Sequence, residues 1–429
     1  MHRGVWGLSL ALSAASLPAA ASPQDVIGFG FRSTAMGRAG VASATGVDAV
    51  YLNPSLLSAS RDLELQLGTT GASFALSAEG PGLARPLEGY SALRASTVGV
   101  VVPLPFTGLL EDRLALGLGL VTPYDVVVRG RILYPEKPQY LFADRVQSVA
   151  VIAGLGIDIG YGIRIGGGAM ALAALEGAVQ VSTDISGRLG TTVEDTLVAS
   201  YAPTAGASLE LADGKYRIGV TFRGELVGRF NVVITAENLG ALTVPPLNIS
   251  GVAQYDPWQI AAEVARVGGG PWALALGATY KHWPAYPGPV MATVRCEDAP
   301  AESVCDPLPV AVADYRPVVT PHVGAERAFE VPGRATLFAR AGYAFEPSPA
   351  PPQTGRTSYF DNHRSVFGLG YGLRLDAALA PIAFDGFVQL QWLHARSHEK
   401  SAAEGAERDG VVDTHGIVLA GGTSASVRF

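Results

Sequence analysis

The sequence predicts a closed, all-β transmembrane barrel of fourteen antiparallel strands. Three observations point there. Charged residues make up only 16% of the 429-residue chain and the mean hydropathy is +0.26, whereas a soluble domain carries about 25% charge. Beyond the N-terminal leader, no apolar run approaches the roughly 20 residues that a membrane helix needs. From residue 62 onward the chain alternates apolar and polar positions, and a closed barrel is the other structure that satisfies its backbone in lipid.

The leader sets the compartment. His2 and Arg3 precede an apolar stretch at 5–17, and Ala19-Ala20-Ala21 supplies small residues for cleavage, the pattern of a secretory signal peptide. The expected organisation is a signal peptide at 1–21, a plug at 22–60 and a barrel at 61–429. The formal charge of -7 becomes one step more negative when Arg3 is removed, which argues against nucleic acid as a partner.

Residues 29–57 are rich in Gly, Ala, Ser and Thr and end in Asn53-Pro54, a turn-forming pair. The glycines lack the spacing and the strand-to-helix context of a nucleotide fingerprint, so hatch packing is the expected role.

Alternation is clearest at 215–230. Tyr216, Ile218, Val220, Phe222, Leu226 and Phe230 share one face, and Lys215, Arg217, Thr221, Arg223, Glu225 and Arg229 share the other. In a membrane barrel the apolar face meets lipid and the charged face lines the lumen. Comparable strands are expected at 62–77, 91–103, 113–124, 144–158, 161–178, 198–212, 214–230, 250–267, 271–283, 315–330, 333–346, 360–376, 381–397 and 415–429. Their number is even, as in bacterial single-chain barrels. Connections also sort by parity: tight joins fall at Gly160, Asp213-Gly214, 268–270, Pro332 and 377–380, with 103–112 the one long join on that side. Long polar connections fall at 124–143, 179–197, 231–249, 284–314, 347–359 and 398–414. Short periplasmic turns and long outer loops alternate in this way.

Cys296 and Cys305 lie together in the longest outer loop. An exported context favours a disulfide between them. No Cys-x-x-Cys pair or His cluster suggests a metal. Arg217, Arg223 and Arg229 are the candidate ligand-binding residues of the lumen, since Arg can hold a carboxylate bidentately; the competing role is a structural network with Glu225 and Asp48. At the outer rim, His394, His398, Asp413 and His415 leave an outer-membrane hydrolase open as an alternative, although no nucleophile motif accompanies them.

The final strand places Ile417, Leu419, Thr423, Ala425, Val427 and Phe429 on one face. It resembles the C-terminal signature of bacterial outer-membrane barrels, which implies an outer-membrane location and recognition of Phe429 by the barrel-assembly machinery. The hatch stretch, with Met36-Gly37-Arg38-Ala39-Gly40, Asp48-Ala49 and Asn53-Pro54-Ser55, resembles the N-terminal segment of the long-chain fatty-acid transporter (FadL-like) family. That family has Ala where Ser55 stands. Residues 342–349, 361–364 leading into GLGYGLRL, and the GATYKHW strand at 277–283 are similar to further segments of the same family.

The resemblance implies a plugged fourteen-stranded barrel that takes up fatty acids or aromatic hydrocarbons without ATP or a cofactor. It also implies sideways release at a kink in the third strand, for which Thr122-Pro123 is the candidate here, because Pro removes a ladder hydrogen bond. The expected partners are a hydrophobic ligand and outer-membrane lipid, with the chain a monomer. A general diffusion porin is the other transport alternative. The plug has a physical rationale: eight strands fill with their own side chains and 16 to 18 leave an aqueous channel, so fourteen need a stopper.

Overall fold

The computed structural model describes residues 23–80, 92–124, 128–130, 139–140, 146–183, 189–237, 247–286, 290–294, 314–355, 357–376, 380–404, 406 and 408–429. Residues 1–21 and the Cys296 and Cys305 pair, for which a signal peptide and a disulfide are expected, lie outside them.

Fourteen staves close on themselves. They are β1 (Glu64–Glu79), β2 (Leu93–Pro103), β3 (Leu114–Pro123), β4 (Ala150–Gly160), β5 (Ile163–Thr183), β6 (Leu189–Leu211), β7 (Tyr216–Arg223 and Leu226–Glu237), β8 (Leu247–Asp256 and Gln259–Arg266), β9 (Trp272–Lys281), β10 (Val318–Val331), β11 (Ala335–Glu346), β12 (Arg364–Leu375), β13 (Ile382–Lys400) and β14 (Gly410–Arg428). Each pairs antiparallel with the next in sequence, and β1 pairs with β14 from Glu64↔Arg428 to Glu79↔Asp413. Phe429 completes the seam, exchanging backbone bonds with Leu63 at 2.9 and 3.2 Å. The seam that closes the barrel is therefore paired along its length.

The staves run farther outward than alternation suggests. Much of 179–197 and 231–249, expected as loop, continues as strand in β5, β6 and β7. β7 also breaks at Gly224 and Glu225, and its outer half pairs in parallel with β5, from Phe230↔Leu175 to Glu237↔Ser182.

The outer surface is apolar. Leu67, Leu276 and Leu369 are 63, 65 and 64% exposed, far too much apolar surface for water and right for hydrocarbon. Tyr216, Ile218, Val220 and Phe222 point outward as alternation predicts. Leu226 does not. It is fully buried beside Phe29, Val50 and Tyr51, because the break at 224–225 carries the chain inward above Arg223. Aromatic side chains gather at two levels. Phe222, Trp258, Tyr280 and His282 make one group beside the breaks in β7 and β8 and at the end of β9. Trp272 and Phe329 lie under Arg327 at the opposite end. Such girdles suit the two membrane interfaces.

Residues 23–60 lie inside the barrel. They form three short helices, Pro23–Val26, Phe31–Ala35 and Asp48–Leu52, and a 3₁₀ turn at Pro54–Ala59. None is long enough to be stable alone, and the surrounding wall supplies their burial. Phe31, Met36, Val50, Leu56 and Leu57 are all nearly or fully buried, each worth about 1.5–3 kcal/mol on burial.

Candidate functional site

Glycines on the inner wall make room for the segment. A Cβ on Gly342 would lie 2.0 Å from the Met36 carbonyl carbon and 2.1 Å from the Gly37 nitrogen; one on Gly166 would lie 2.4 Å from the Ser55 nitrogen. Gly99 and Gly117 likewise face Val47 and Val50. Backbone therefore packs on backbone at several points around the lumen, which side chains of ordinary size would prevent.

Polar contacts then fix the position. Glu263 on β8 accepts the backbone N–H groups of Gly40, Val41 and Ala42 at 2.7, 3.2 and 3.0 Å and the Ser43 hydroxyl at 2.8 Å. His322 Nε2 lies 3.1 Å from the same carboxylate. Successive N–H groups turned toward one anion form a nest, here closed by a side chain of the wall. Asp48 accepts from the Ser33 N–H and hydroxyl at 3.2 and 2.9 Å and holds two hatch helices together.

Two ion networks span hatch and wall. Arg32 bonds Glu326 on β10 at 2.9 and 3.0 Å, and Arg340 on β11 joins Glu326 at 2.6 Å and Asp385 at 2.5 Å. Farther out, Lys281 bonds Asp25 at 2.6 Å and Glu346 at 2.8 Å, while Arg38 and Arg364 reach Glu346 at 3.1 and 2.9 Å. Buried charges persist only when paired in this way.

The residues singled out from sequence fall as follows. Gly37 adopts φ 67° against the Tyr343 backbone, a conformation and a closeness that both favour glycine. Arg38 joins the Glu346 network, and Gly40 begins the Glu263 nest. Asn53 donates to Val41 O and Ala207 O at 2.7 and 3.2 Å and accepts from Ser55 N and Oγ. Pro54 and Ser55 sit over Gly156, Gly166 and Gly206, so this anchor lies on β4 to β6. Ser55 also bonds the Ser208 hydroxyl at 3.1 Å, a contact that alanine cannot make.

Arg217 bonds Ala42 O at 3.3 Å and approaches Glu210 at 3.6 Å. Arg223 donates to Tyr51 O at 2.8 Å and lies 3.7 Å from the Tyr51 ring centroid. Glu225 and Asp48 bond neither Arg217 nor Arg223 directly. The Arg229 side chain lies outside the described residues. Thr122 and Pro123 end β3, paired with Ser96 and Ala95 of β2, while the ladder to β4 stops at Val121↔Ala150. At the rim, His394 bonds Ser365 at 2.9 Å, His398 Nδ1 accepts from the Gln353 N–H at 3.0 Å, and Asp413 bonds Ser397 at 2.5 Å. The imidazoles and Asp413 are not bonded to one another.

Two cavities flank the first hatch residues. One of about 70 Å³ lies between Phe29, Arg38 and Tyr51 and the inner faces of β7 to β11. Another of about 40 Å³, lined by Ile27, Phe31, Leu93, Ala95, Val121 and Phe387, faces β1 to β3. Gln24, Gly28 and Phe29 wall both. On the short-turn side a polar chamber of about 300 Å³ reaches Arg32, Asp48, Glu64, Arg217 and Arg428.

Known structures share this closed barrel. A FadL homologue of Pseudomonas aeruginosa superposes with a TM-score of 0.60 at 14% identity, covering 96% of this chain and 99% of that one. The chain has the fold of a FadL-like barrel. The toluene transporter TodX of P. putida (TM-score 0.53, 14% identity, 94% and 99% covered) and the toluene transporter TbuX of Ralstonia pickettii (0.53, 13%, 94% and 99%) share it. No protein-family model matches the chain, and a search of the curated proteins finds no match.

Proposed function

We propose that this protein takes up hydrophobic compounds passively across the bacterial outer membrane, through a FadL-like barrel whose residues 23–60 act as a movable plug. The observation that carries the reading is the seating of those residues. They are bonded to β8, β10 and β11 from inside and leave two cavities against the hatch, the smaller one lined mainly by apolar side chains. Solved barrels of this fold include proteins described as toluene transporters.

Release sideways between β3 and β4, beside Thr122 and Pro123, belongs to the same proposal. Its support is the ladder that ends two residues short of the end of β3, next to a cavity that reaches Val121. Recognition of Phe429 by the barrel-assembly machinery is part of the same proposal, supported by the 66% exposure of that ring at the seam. A hydrolase would require an acid behind His394 or His398, and Asp413 turns to Ser397 instead.

Reconstitution tests the reading. Protein in liposomes should speed entry of a fluorescent long-chain fatty acid or of toluene, while planar bilayers should show no large steady conductance. A large steady current would identify a diffusion porin. Hydrolysis of phospholipid that vanishes in His394→Ala would identify a hydrolase.

A further inference from the structure

We infer that the lipid-facing surface of β1 to β3 around Arg94 is a binding site for the phosphate of lipid A, the phosphorylated and acylated diglucosamine of the outer leaflet. The inference does not depend on the uptake reading and needs only a barrel in the outer membrane.

The wall there turns polar early. Across β1, β2 and β3 the outward side chains pair as Leu65–Val100–Leu118 and then as Leu67–Val98–Leu120. The next rung outward is Thr69–Ser96–Thr122, so all three strands change from apolar to hydroxyl together. One rung farther, Arg94 faces Gly71, and Tyr124 donates its backbone N–H to Arg94 O at 3.0 Å. The Tyr124 hydroxyl lies 2.8 Å from Thr69 Oγ1, so its side chain reaches back across β2 to β1.

Hydrocarbon still surrounds the barrel at this height. Large apolar side chains face outward on β1 only from Leu63 to Leu67, which covers about 13 Å of a band roughly 25 Å tall for a strand of ordinary rise and tilt. On the neighbouring β14, Leu419 and Ile417 remain 51 and 46% exposed, and they pair with Ser73 and Ala75, beyond Thr69 along β1. Hydroxyls and above all a guanidinium are costly against acyl chains unless the lipid itself supplies their partners.

Charge identifies that partner. Arg94 is exposed, and among the described residues no hydrogen bond or ion pair engages its guanidinium. Thr69, Ser73, Ser96 and Thr122 surround it with hydroxyls, and no carboxylate lies on these rungs. A fork of N–H donors ringed by hydroxyls fits a phosphate, whose oxygens accept several bonds at once. Arg94 stands at the end of β2 away from the short turn that joins β2 to β3, hence toward the outer leaflet, and hydroxyls in a row suit a sugar headgroup. Beside it the wall is recessed. Gly71 pairs with Gly421, and among the described residues a Cβ on either would meet only one backbone oxygen, at 3.2 and 3.4 Å. That shallow lane gives an acyl chain a place beside the phosphate.

Native mass spectrometry of the purified full-length protein in detergent tests the site, with lipid A, lipid A stripped of its phosphates, and phosphatidylglycerol each titrated in. Lipid A should bind saturably, and the phosphate-free form at least about tenfold more weakly, since it offers the guanidinium no anion. Arg94→Gln should weaken lipid A about tenfold or more, and Arg94→Lys by less because the charge stays. Thr69→Val, nearly isosteric, should weaken it about threefold. Arg94 bonds nothing in the wall, so its variants should keep the heat resistance of the folded barrel.

Equal binding of the phosphate-free lipid, or unchanged lipid A affinity in Arg94→Gln, would overturn the inference. Phosphatidylglycerol binding as tightly as lipid A would assign the patch to anionic lipid in general. A dimer that Arg94→Gln dissolves would assign it to a second copy of the chain. Either result also overturns the assignment to lipid A.

Discussion

Glu263 Oε2 lies 2.7 Å from the Gly40 nitrogen, and through this contact the barrel wall holds the middle of the hatch by its backbone. The same carboxylate also takes two further N–H groups, the Ser43 hydroxyl and His322. Glu263→Ala leaves all of these buried and unpaired at once, a loss of about 3–5 kcal/mol for a broken buried charge cluster. The expected result is a lower melting temperature and faster arabinose entry in liposome swelling. Unchanged values for both would show that the nest does not hold the hatch.

Gly342 tests the same contact from the steric side. Any side chain there would stand within 2.1 Å of Met36 and Gly37 backbone, and backbone cannot yield as the end of a flexible side chain can. Gly342→Val should therefore displace the hatch while leaving the β10–β11–β12 ladders intact. Overpacking of this kind costs about 1–3 kcal/mol or more. Strand content by circular dichroism should stay at the wild-type level while planar-bilayer current rises; a current at the wild-type level would sink the idea.

Removal of residues 28–49 takes away the Glu263 nest, the Arg32–Glu326 pair and the Gly37 contact together. The seam between β1 and β14 does not depend on them. A correctly inserted deletion should pass small polar solutes steadily, as an unplugged barrel of this strand number should. Low permeability in that variant would mean that outer loops, rather than the hatch, close the barrel.

Sequence alternation made the wall legible, and it failed where the chain stops behaving as a regular strand. Tyr216 to Phe222 alternate cleanly and point to lipid, yet Leu226, four residues on, is buried because Gly224 and Glu225 interrupt β7. The anchors Glu263, Lys281, Glu326 and Glu346 were missed. Glu263 and Glu346 are charges between apolar neighbours on inward positions, and that pattern could have marked them; Lys281 and Glu326, next to His282 and Arg327, lack it. Their partners in the hatch are hundreds of residues away in sequence, as with Arg32 and Glu326, so no local spacing reveals the pairing. Asn53 stood out as a turn former and Gly37 as part of the hatch stretch, but their docking surface is a row of glycines on other strands that only the closed barrel brings together.

The outer loops carry a pH dependence. Asp361, buried between Tyr359–Phe360 and the start of β12, is pushed up to about 6, chiefly by burial, while Arg364, Ser348 and Arg396 pull the other way. The sign follows from linkage: a carboxyl that binds its proton more tightly when folded favours the folded loop in acid. Its contribution is full below the ordinary value near 4 and is lost as pH rises through 6. A rise of this size is worth up to about 3 kcal/mol. Protease resistance of the 347–364 region should therefore be greater at pH 4.5 than at pH 7.5, using a protease equally active at both. Asp361→Asn should abolish the difference and keep the loop closed at pH 7.5, since an amide fits the protonated site without titrating. Equal pH sensitivity in wild type and variant would assign the effect to another group.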